Sequence, residues 1–394
     1  MKKTTLALAI SMTATQAVGA GFQLNSQSAT GLGRAFAGDT VIADNASVVS
    51  KNAAAMSLID QEQMSLGFVV IDSQVELNDT LYTPTFDRTQ EVDNTQLDNT
   101  TYVPNFHYVN PIGDTPWTIG ATVHSNFGTH VEFNETFPAE EFGGKTSLSS
   151  VNFGVSAAFQ INEQWSVGAG LDAIYGEGEI SRKDLLDIEA DGVTFGFNLG
   201  ATYQINQDHR FGLSYRFSPD LTATGQVDQL TSKTDSLDIP LPDMLEFSGY
   251  HKIQPNFALH YSVQYVSWSE FDALSSDGLS SPIKEYHWQD AGHISVGATW
   301  YQSPTTEYRV GYMYDVSPIN QLTSLSIPDT NRHWFTFGLS HQLSKQWTID
   351  GALGLLVGEE AHINESLTII ETSNIQSDVT TDAWMAGIQI NYKF

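Results

Sequence analysis

Cysteine is absent from this chain of 394 residues, so disulfide bonds and thiolate metal sites are excluded. No stretch approaches the roughly eighteen apolar residues of a transmembrane helix. Basic residues are few: 17 Lys and Arg against 46 Asp and Glu give a formal charge of −29, which argues against a nucleic-acid partner. Neither a GxSxG nor an HExxH motif occurs, so we expect no enzyme and no cofactor.

The first twenty residues have the three zones of a secretory signal. Lys2 and Lys3 precede an apolar run of about a dozen residues and then small residues at 17–20. We therefore expect residues 1–20 to be a signal peptide rather than an ordinary N-terminal helix, and their removal would take the charge to −31. An exported chain without apolar helices can span a membrane only as a closed β-barrel.

The C-terminus supports a barrel. Apolar residues occupy alternate positions from Trp384 to Phe394, with Gln389, Asn391 and Lys393 between the last of them. A final strand ending on Phe resembles that of bacterial outer-membrane proteins. The alternation recurs at 151–159, 211–217 and 335–343, although it does not by itself show which face meets lipid.

The connections between these alternating segments give the strand count. Six short connections lie between seven long, acidic or Ser/Thr-rich ones, so that thirteen connections join fourteen strands over residues 62–394. The short ones are 110–117, 161–165, 205–210, 253–257, 303–307 and 343–347. The long ones are near 73–100, 129–147, 177–192, 218–243, 269–288, 315–333 and 359–383. This pattern predicts an all-β, 14-stranded antiparallel transmembrane β-barrel in the bacterial outer membrane, with short periplasmic turns and long outer loops.

Aromatic residues near the strand ends are interpreted as interfacial girdles. They are Trp117, Trp165, Tyr265, Trp268, Trp288, Trp300, Tyr301, Trp334, Trp347, Trp384 and Phe394. The stretch after the signal, residues 21–61, is different: it is rich in Ala, Gly, Ser and Asn and has no sustained alternation. Because a 14-stranded barrel has a wide lumen, we expect this stretch to be an N-terminal hatch, or plug, inside it.

Several blocks along nearly the whole chain resemble the FadL family of outer-membrane long-chain fatty acid transporters. They are AGFQLN at 20–25, GLGRAFAG at 31–38, IADNASVVSKNAA at 42–54, SNFG at 125–128, VEFNETF at 131–137, LPDMLEFSGY at 241–250, HYSVQYVSWSEF at 260–271, SIPDTNRHW at 326–334 and HINES at 362–366. The resemblance implies capture of a hydrophobic ligand by outer loops, transfer to a pocket in the barrel, hatch movement and lateral release into the membrane.

The resemblance also implies roles for particular residues. The basic pair of the ligand pocket falls on Arg182 and Lys284, and Phe22 matches a residue that can occupy the pocket and swing away. The kinked strand that opens the wall falls on Asn126, Phe127 and Gly128. The gating turn of the hatch falls on the sequence Asn52-Ala53-Ala54.

Each role has a purely structural alternative. Arg182 could neutralise Glu179 or Asp184, Lys284 could neutralise Glu285, and Phe22 could be a buried anchor. The acidic residues Asp184, Asp187, Glu189 and Asp191 could bind Ca²⁺ or bridge lipopolysaccharide, or could be a solvated loop.

This chain differs from the family pattern at two places. The Asn-Pro-Ala motif of the hatch has Ala53 in place of proline, which predicts a more flexible turn. The outer segment after Arg182 is short, with about a dozen residues before a strand pattern resumes at Val193.

The leading hypothesis is passive uptake of long-chain fatty acids by a monomer in contact with outer-membrane lipid. Uptake of other hydrophobic compounds, such as aromatic hydrocarbons, is the first alternative. A general diffusion porin is the second, although an open aqueous channel would gain nothing from a hatch.

Overall fold

The computed structural model describes residues 21–230, 232–319 and 323–394. The predicted signal peptide, residues 1–20, lies outside the described residues.

Strands make up most of the described chain. One α-helical turn, α1 (Ala29–Leu32), and three 3₁₀ helices (Ala46–Ser50, Ala53–Leu58 and Trp268–Glu270) are its helices. The strands are β1 (Gln63–Thr83), β2 (Gln90–Val92), β3 (Thr95–Pro111), β4 (Trp117–His124), β5 (Gly128–Glu132), β6 (Lys145–Gln160), β7 (Trp165–Arg182), β8 (Leu186–Asn206), β9 (His209–Phe217), β10 (Leu221–Gln229), β11 (Ser232–Ile239), β12 (Met244–Gln254), β13 (Phe257–Val266), β14 (Ala273–Leu274), β15 (Lys284–Glu285), β16 (Ala291–Ser303), β17 (Thr306–Val316), β18 (Arg332–Gln342), β19 (Trp347–Gly358), β20 (Ala361–Thr368) and β21 (Thr372–Lys393). None of the described helices is long and apolar enough to cross a membrane.

The strands form one closed antiparallel wall. β1 pairs with β3 on one side and with β21 on the other, which joins the first strand of the wall to the last. The wall has fourteen strands, as predicted, and four of them are interrupted. The interrupted strands are β4 with β5, β9 with β10, β11 with β12, and β19 with β20.

All six short connections lie where the sequence predicts them, at one end of the barrel. The prediction of the long ones as loops is only partly correct, because several continue as strand. The clearest difference follows Arg182: β8 begins at Leu186 and not at Val193, so only residues 183–185 connect β7 to β8. Asp187, Glu189 and Asp191 therefore lie on a paired strand, because the β7–β8 ladder extends beyond the expected barrel rim.

The side chains of the wall strands point alternately out of the barrel and into it. On β21, Trp384, Ile388 and Ile390 point outward and are exposed, whereas Gln389 and Asn391 point inward and are buried. An apolar exterior with a polar interior is the arrangement of a barrel in lipid.

Seven of the eleven aromatic residues interpreted as girdle residues are exposed. They are Trp117, Trp165, Tyr265, Trp300, Trp347, Trp384 and Phe394. The prediction is wrong for Trp268, Trp288 and Trp334, which are buried. An aromatic residue near a strand end can face either side of the wall, and residue type alone does not decide which.

Residues 21–62, which we call the lumenal segment, lie inside the barrel. In this segment α1 packs against β18, β19 and β21, and the 3₁₀ helix Ala53–Leu58 packs against β6, β7 and β8. Glycines in the wall allow this close approach. A methyl group on Gly168 would lie 2.4 Å from the backbone nitrogen of Ala54, and one on Gly311 would lie 2.2 Å from the carbonyl carbon of Arg34.

Candidate functional site

A cavity of about 800 Å³ lies at the outer end of the barrel, above the lumenal segment. Arg182, the last residue of β7, and Lys284, the first residue of β15, both line it. About half of the remaining lining residues are apolar, among them Ile180, Leu186, Leu230, Ile283, Leu367 and Ile369. The structure thus brings together the two cations that the resemblance paired, in an amphipathic cavity whose volume is typical of small-molecule sites.

Arg182 has no carboxylate within ion-pair distance among the described residues. Its guanidinium donates hydrogen bonds to the Lys145 carbonyl at 2.5 Å, the Ser181 carbonyl at 2.7 Å and Thr146 Oγ1 at 2.6 Å. Glu179 pairs instead with Lys145, at 2.6 Å. The alternative in which Glu179 or Asp184 neutralises Arg182 is therefore not what the geometry shows.

Lys284 has a different environment, because its ammonium group is fully bonded. It donates to Ser324 Oγ at 2.6 Å, to Ser326 Oγ at 2.8 Å and to Glu365 Oε1 at 2.8 Å. Glu285, the neighbour expected in the structural alternative, does not pair with Lys284 and lies 3.4 Å from His287 Nε2. The partner of Lys284 is thus a residue that sequence reasoning missed, on a strand 81 positions away.

Phe22 lies below the outer cavity and is fully buried. Its ring packs edge-on against Trp268 at 4.6 Å and Phe271 at 4.9 Å between ring centroids, and Phe127 and Trp288 complete the cluster. A second, smaller apolar cavity of about 30 Å³ lies beside Phe22. Because Ile180 and Tyr286 line both cavities, Phe22 occupies the space next to the site of the two cations.

The wall is interrupted beside Phe22, at Asn126, Phe127 and Gly128. β4 ends at His124 and pairs with β3, whereas β5 begins at Gly128 and pairs with β6. In the described ladders, no pairing joins β5 to β3, so the ladder between β3 and β4 covers only Phe106–Pro111 of β3. The lumenal segment covers the break: the Leu24 amide donates to the Asn126 carbonyl at 2.7 Å, and the Gly128 amide donates to the Phe22 carbonyl at 2.9 Å.

The sequence Asn52-Ala53-Ala54 forms the start of a 3₁₀ helix. Asn52 is the N-cap, and its side-chain oxygen accepts from the Ala54 amide at 3.0 Å. Its side-chain nitrogen donates to the Thr40 carbonyl at 2.7 Å and also faces the carbonyls of Ala201 and Leu213 in the wall. The turn without proline is thus held by capping and by the wall, and greater flexibility there stays a prediction.

A network of buried and partly exposed ion pairs lies within the lumenal segment and is joined to the lower wall by Arg309; it was not predicted from the sequence. Arg34 pairs with Asp39 at 2.9 Å and with Asp44 at 3.1 Å, and Arg309 of β17 pairs with the same Asp44 at 3.1 Å. Lys51 pairs with Asp39 at 3.3 Å. Arg34 and Lys51 lie in the blocks at 31–38 and 42–54 that resemble the FadL family. The resemblance of these blocks was the only feature of the sequence that pointed to the two cations.

The amino end of the lumenal segment is bound by an outer loop. The Gly21 amide donates to Asp329 Oδ2 at 3.0 Å, and Arg332 pairs with the same carboxylate. Burial raises the pKa of Asp329, while Arg332 and the Gly21 amide act in the opposite direction. Asp329 and Arg332 both lie in the block SIPDTNRHW, which resembles the FadL family. The resemblance did not predict their contact with Gly21.

The acidic residues after Arg182 do not form a metal site in the described part of the chain, where no group of three or more His, Asp or Glu side chains has a suitable arrangement. Asp187, Glu189 and Asp191 are exposed on β8. This is the solvated arrangement that the sequence left open as an alternative.

The family model described as outer membrane protein transport protein (OMPP1/FadL/TodX) matches residues 10–394. The chain is 33% identical over 445 residues to the long-chain fatty acid transport protein of Salmonella typhi, covering 100% of this chain and 98% of that protein.

Two solved structures show the same fold. A FadL homologue of Pseudomonas aeruginosa has a TM-score of 0.86 at 18% identity, covering 95% of this chain and 100% of that chain. The toluene transporter TodX of Pseudomonas putida has a TM-score of 0.68 at 17% identity, covering 95% of this chain and 100% of that chain.

Proposed function

The chain belongs to the OMPP1/FadL/TodX family of outer membrane transport proteins, and from this premise we propose that it imports long-chain fatty acids. The carboxylate of the ligand binds Arg182 and Lys284 in the outer cavity, and the acyl chain extends along the apolar lining toward Phe22. The relatives that are about one-third identical over their full length carry this function in their names, which supports the choice of ligand.

The proposal rests mainly on the burial of Arg182 without a carboxylate partner among the described residues. A buried charge is costly unless it is paired and hydrogen-bonded. Arg182 is only 7% exposed and has hydrogen-bond acceptors but no carboxylate partner among the described residues. A carboxylate is the ligand group that a guanidinium binds best, because two parallel hydrogen bonds can form. A guanidinium without an ion-paired carboxylate, on the wall of a cavity with both apolar and polar lining, therefore suits an amphiphile with an anionic head.

Release of the ligand requires a path that keeps its chain out of water, because each buried CH₂ contributes about 0.8 kcal/mol. We assign residues 21–61 as the hatch and residues 62–394 as the barrel. The exit is the break at Asn126, Phe127 and Gly128, beside the outer half of β3, where β5 forms no ladder with β3. Phe22 moves away from this break when the hatch shifts about Asn52, Ala53 and Ala54, and the ligand passes sideways into lipid.

The barrel also supports proposals for the oligomeric state of the protein and for its surroundings in the membrane. One chain closes the barrel, which supports a monomer. The exposed apolar side chains of the wall contact membrane lipid, and the outer strand extensions face lipopolysaccharide. We assign no catalytic role to the chain.

The test is uptake of a labelled long-chain fatty acid by cells that lack their own transporter. We expect the Arg182→Ala/Lys284→Ala double variant to lose about ten-fold or more of the uptake, because charged hydrogen bonds contribute about 1.5–3 kcal/mol each. The matched control is Lys183→Ala/Lys233→Ala, which removes two cations that are exposed and pair with Glu140 and Asp228 outside the cavity lining.

Equal uptake by both double variants would contradict the assignment of Arg182 and Lys284 to the ligand pocket. Toluene in the same assay separates fatty acids from aromatic hydrocarbons, since the cation pair has no role for an uncharged ligand. Permeation of small sugars through the unaltered protein would indicate a porin instead.

A further inference from the structure

The only carboxylate bonded to Lys284 in the described chain is that of Glu365, and this contact joins three outer segments. Lys284 lies on β15, Glu365 lies on β20, and Ser324 lies in the connection before β18. Glu365 Oε1 accepts from Lys284 at 2.8 Å and from Ser324 at 3.2 Å, and Glu365 Oε2 accepts from the Leu325 amide at 2.9 Å. Glu365 is therefore held by groups other than the lysine.

Glu365 differs from the other carboxylates that line the cavity. Glu141 accepts a hydrogen bond from the Tyr82 hydroxyl at 2.7 Å, and Glu285 is exposed and lies toward His287. Only Glu365, among these three, is bonded to one of the two cations of the cavity. The ligand carboxylate would thus meet an unpaired Arg182 but an already neutralised Lys284.

We propose that Glu365 is a resident counter-ion that determines specificity: a ligand carboxylate replaces it on Lys284, so that binding exchanges one carboxylate for another. This inference rests on the proposed function. The displaced Glu365 keeps the Leu325 amide and the Ser324 hydroxyl, so it is not left unbonded in the cavity wall. A neutral hydrophobe has no group that can make this exchange, and it leaves the contact between the three outer segments closed.

The exchange predicts the direction in which the affinity for a carboxylate ligand changes when Glu365 loses its charge. Glu365→Gln keeps the size and the hydrogen-bonding oxygen of the side chain but removes the charge that competes with the ligand. Purified variants are compared in detergent for their dissociation constants for hexadecanoate, at a pH where it is ionised, and for hexadecan-1-ol. We expect Glu365→Gln to bind hexadecanoate about ten-fold more tightly, which is the contribution of one charged hydrogen bond, and to bind the alcohol as the unaltered protein does.

Two controls identify the cause. Glu285→Gln removes a neighbouring carboxylate of the cavity that does not contact Lys284, and it should leave both affinities within about two-fold, because exposed charges interact weakly. Adding Lys284→Ala to Glu365→Gln should remove most of the gain for hexadecanoate, because Glu365 is bonded to Lys284 and acts on Arg182 only through its charge at longer range.

The outcomes separate this inference from the proposed function. No binding of hexadecanoate by the unaltered protein would contradict the proposed function itself. If the unaltered protein binds it, the exchange is overturned when Glu365→Gln leaves the affinity unchanged, when it changes the affinities for acid and alcohol alike, or when Glu285→Gln gives the same gain.

Discussion

The buried arginines of the lower and the outer lumen are partnered in opposite ways. In the lower lumen Arg34 and Arg309 share Asp44, and Arg216 pairs with Asp172 at 2.6 Å while donating to the Ser50 carbonyl of the lumenal segment at 2.7 Å. In the outer cavity Arg182 is equally buried but bonds to two carbonyls and one hydroxyl. The difference separates cations that pair with carboxylates of the lumen from a cation that has no carboxylate within ion-pair distance among the described residues.

The same division applies to packing. In the lower lumen, wall glycines let the lumenal segment approach to backbone contact, and a cavity beside Lys51 and Arg216 measures only about 30 Å³. In the outer lumen, the apolar cluster around Phe22 borders a cavity of about 800 Å³. The lumenal segment is thus held by charge and close contact in the lower lumen, and the larger cavity lies at the outer end.

The largest expected effect is a loss of stability when an ion-paired arginine of the lower lumen is replaced. Arg309→Met leaves Glu307 without its cation and Asp44 with Arg34 alone. Removing one partner of a buried ion pair costs about 3–5 kcal/mol, and we expect the lower end because Asp44 retains Arg34 and because the Asp44 and Glu307 side chains are partly exposed to water. Chemical denaturation of the purified protein in detergent should show the loss.

Arg182→Met is the matched control, since it removes a second buried arginine from a strand end without breaking an ion pair. We expect it to lower the free energy of unfolding by only about 1 kcal/mol, because the loss of its hydrogen bonds is offset by the removal of a buried charge that has no ion-pair partner, while it weakens fatty acid binding. Equal losses of stability in the two variants would mean that both arginines are structural, and the comparison would then be wrong.

A somewhat smaller effect is expected from filling the space left by a wall glycine. In Gly168→Ala the new methyl group would lie 2.4 Å from the Ala54 nitrogen and 2.6 Å from the Ala53 carbonyl carbon, both backbone atoms that cannot rotate away. Overpacking of this kind costs about 1–3 kcal/mol. We expect the lumenal segment to loosen and the ion conductance of the protein in a planar bilayer to rise.

Gly351→Ala provides the control, because no atom lies within 4 Å of the position its methyl group would take. It should change neither stability nor conductance. A Gly168→Ala protein that conducts no more than Gly351→Ala would show that close contact at the 3₁₀ helix does not seal the lumen.

The barrel could be predicted from the sequence because its signals are local. Alternation, short turns and acidic connections each lie within one or two strands, so the count of fourteen did not depend on any distant contact. Apart from the break at 126–128, which the resemblance implied as a kinked strand, the interruptions were not predicted, since the residues at 218–220 and 240–243 carry no pattern that differs from an ordinary loop.

The site was predicted less completely, because its contacts join distant segments. The resemblance supplied Arg182, Lys284 and Phe22, but not Glu365, which reaches Lys284 from a separate hairpin. It also could not tell that Trp268 and Trp288 turn inward around Phe22, because only the register of the folded wall decides the direction of a side chain.

The smallest expected effect concerns Ala53, where proline is missing from the family motif. Ala53 is the first residue of its 3₁₀ helix, a position whose amide has no partner within the helix, so proline is tolerated there. Asn52, the residue before it, has φ −150° and ψ 109°, the extended conformation that a following proline favours. We expect Ala53→Pro to raise the free energy of unfolding by about 0.4–1 kcal/mol, because it restricts the unfolded chain.

Ala55→Pro, two residues further on, should have the opposite sign. The Ala55 amide donates to the Asn52 carbonyl at 3.1 Å, and proline would remove that hydrogen bond inside the helix. Denaturation curves of the two variants therefore test whether the turn is already set for proline. If Ala53→Pro destabilises as much as Ala55→Pro does, the 3₁₀ helix is not proline-compatible at its first residue, and the lower lumen has diverged from the family in shape as well as in sequence.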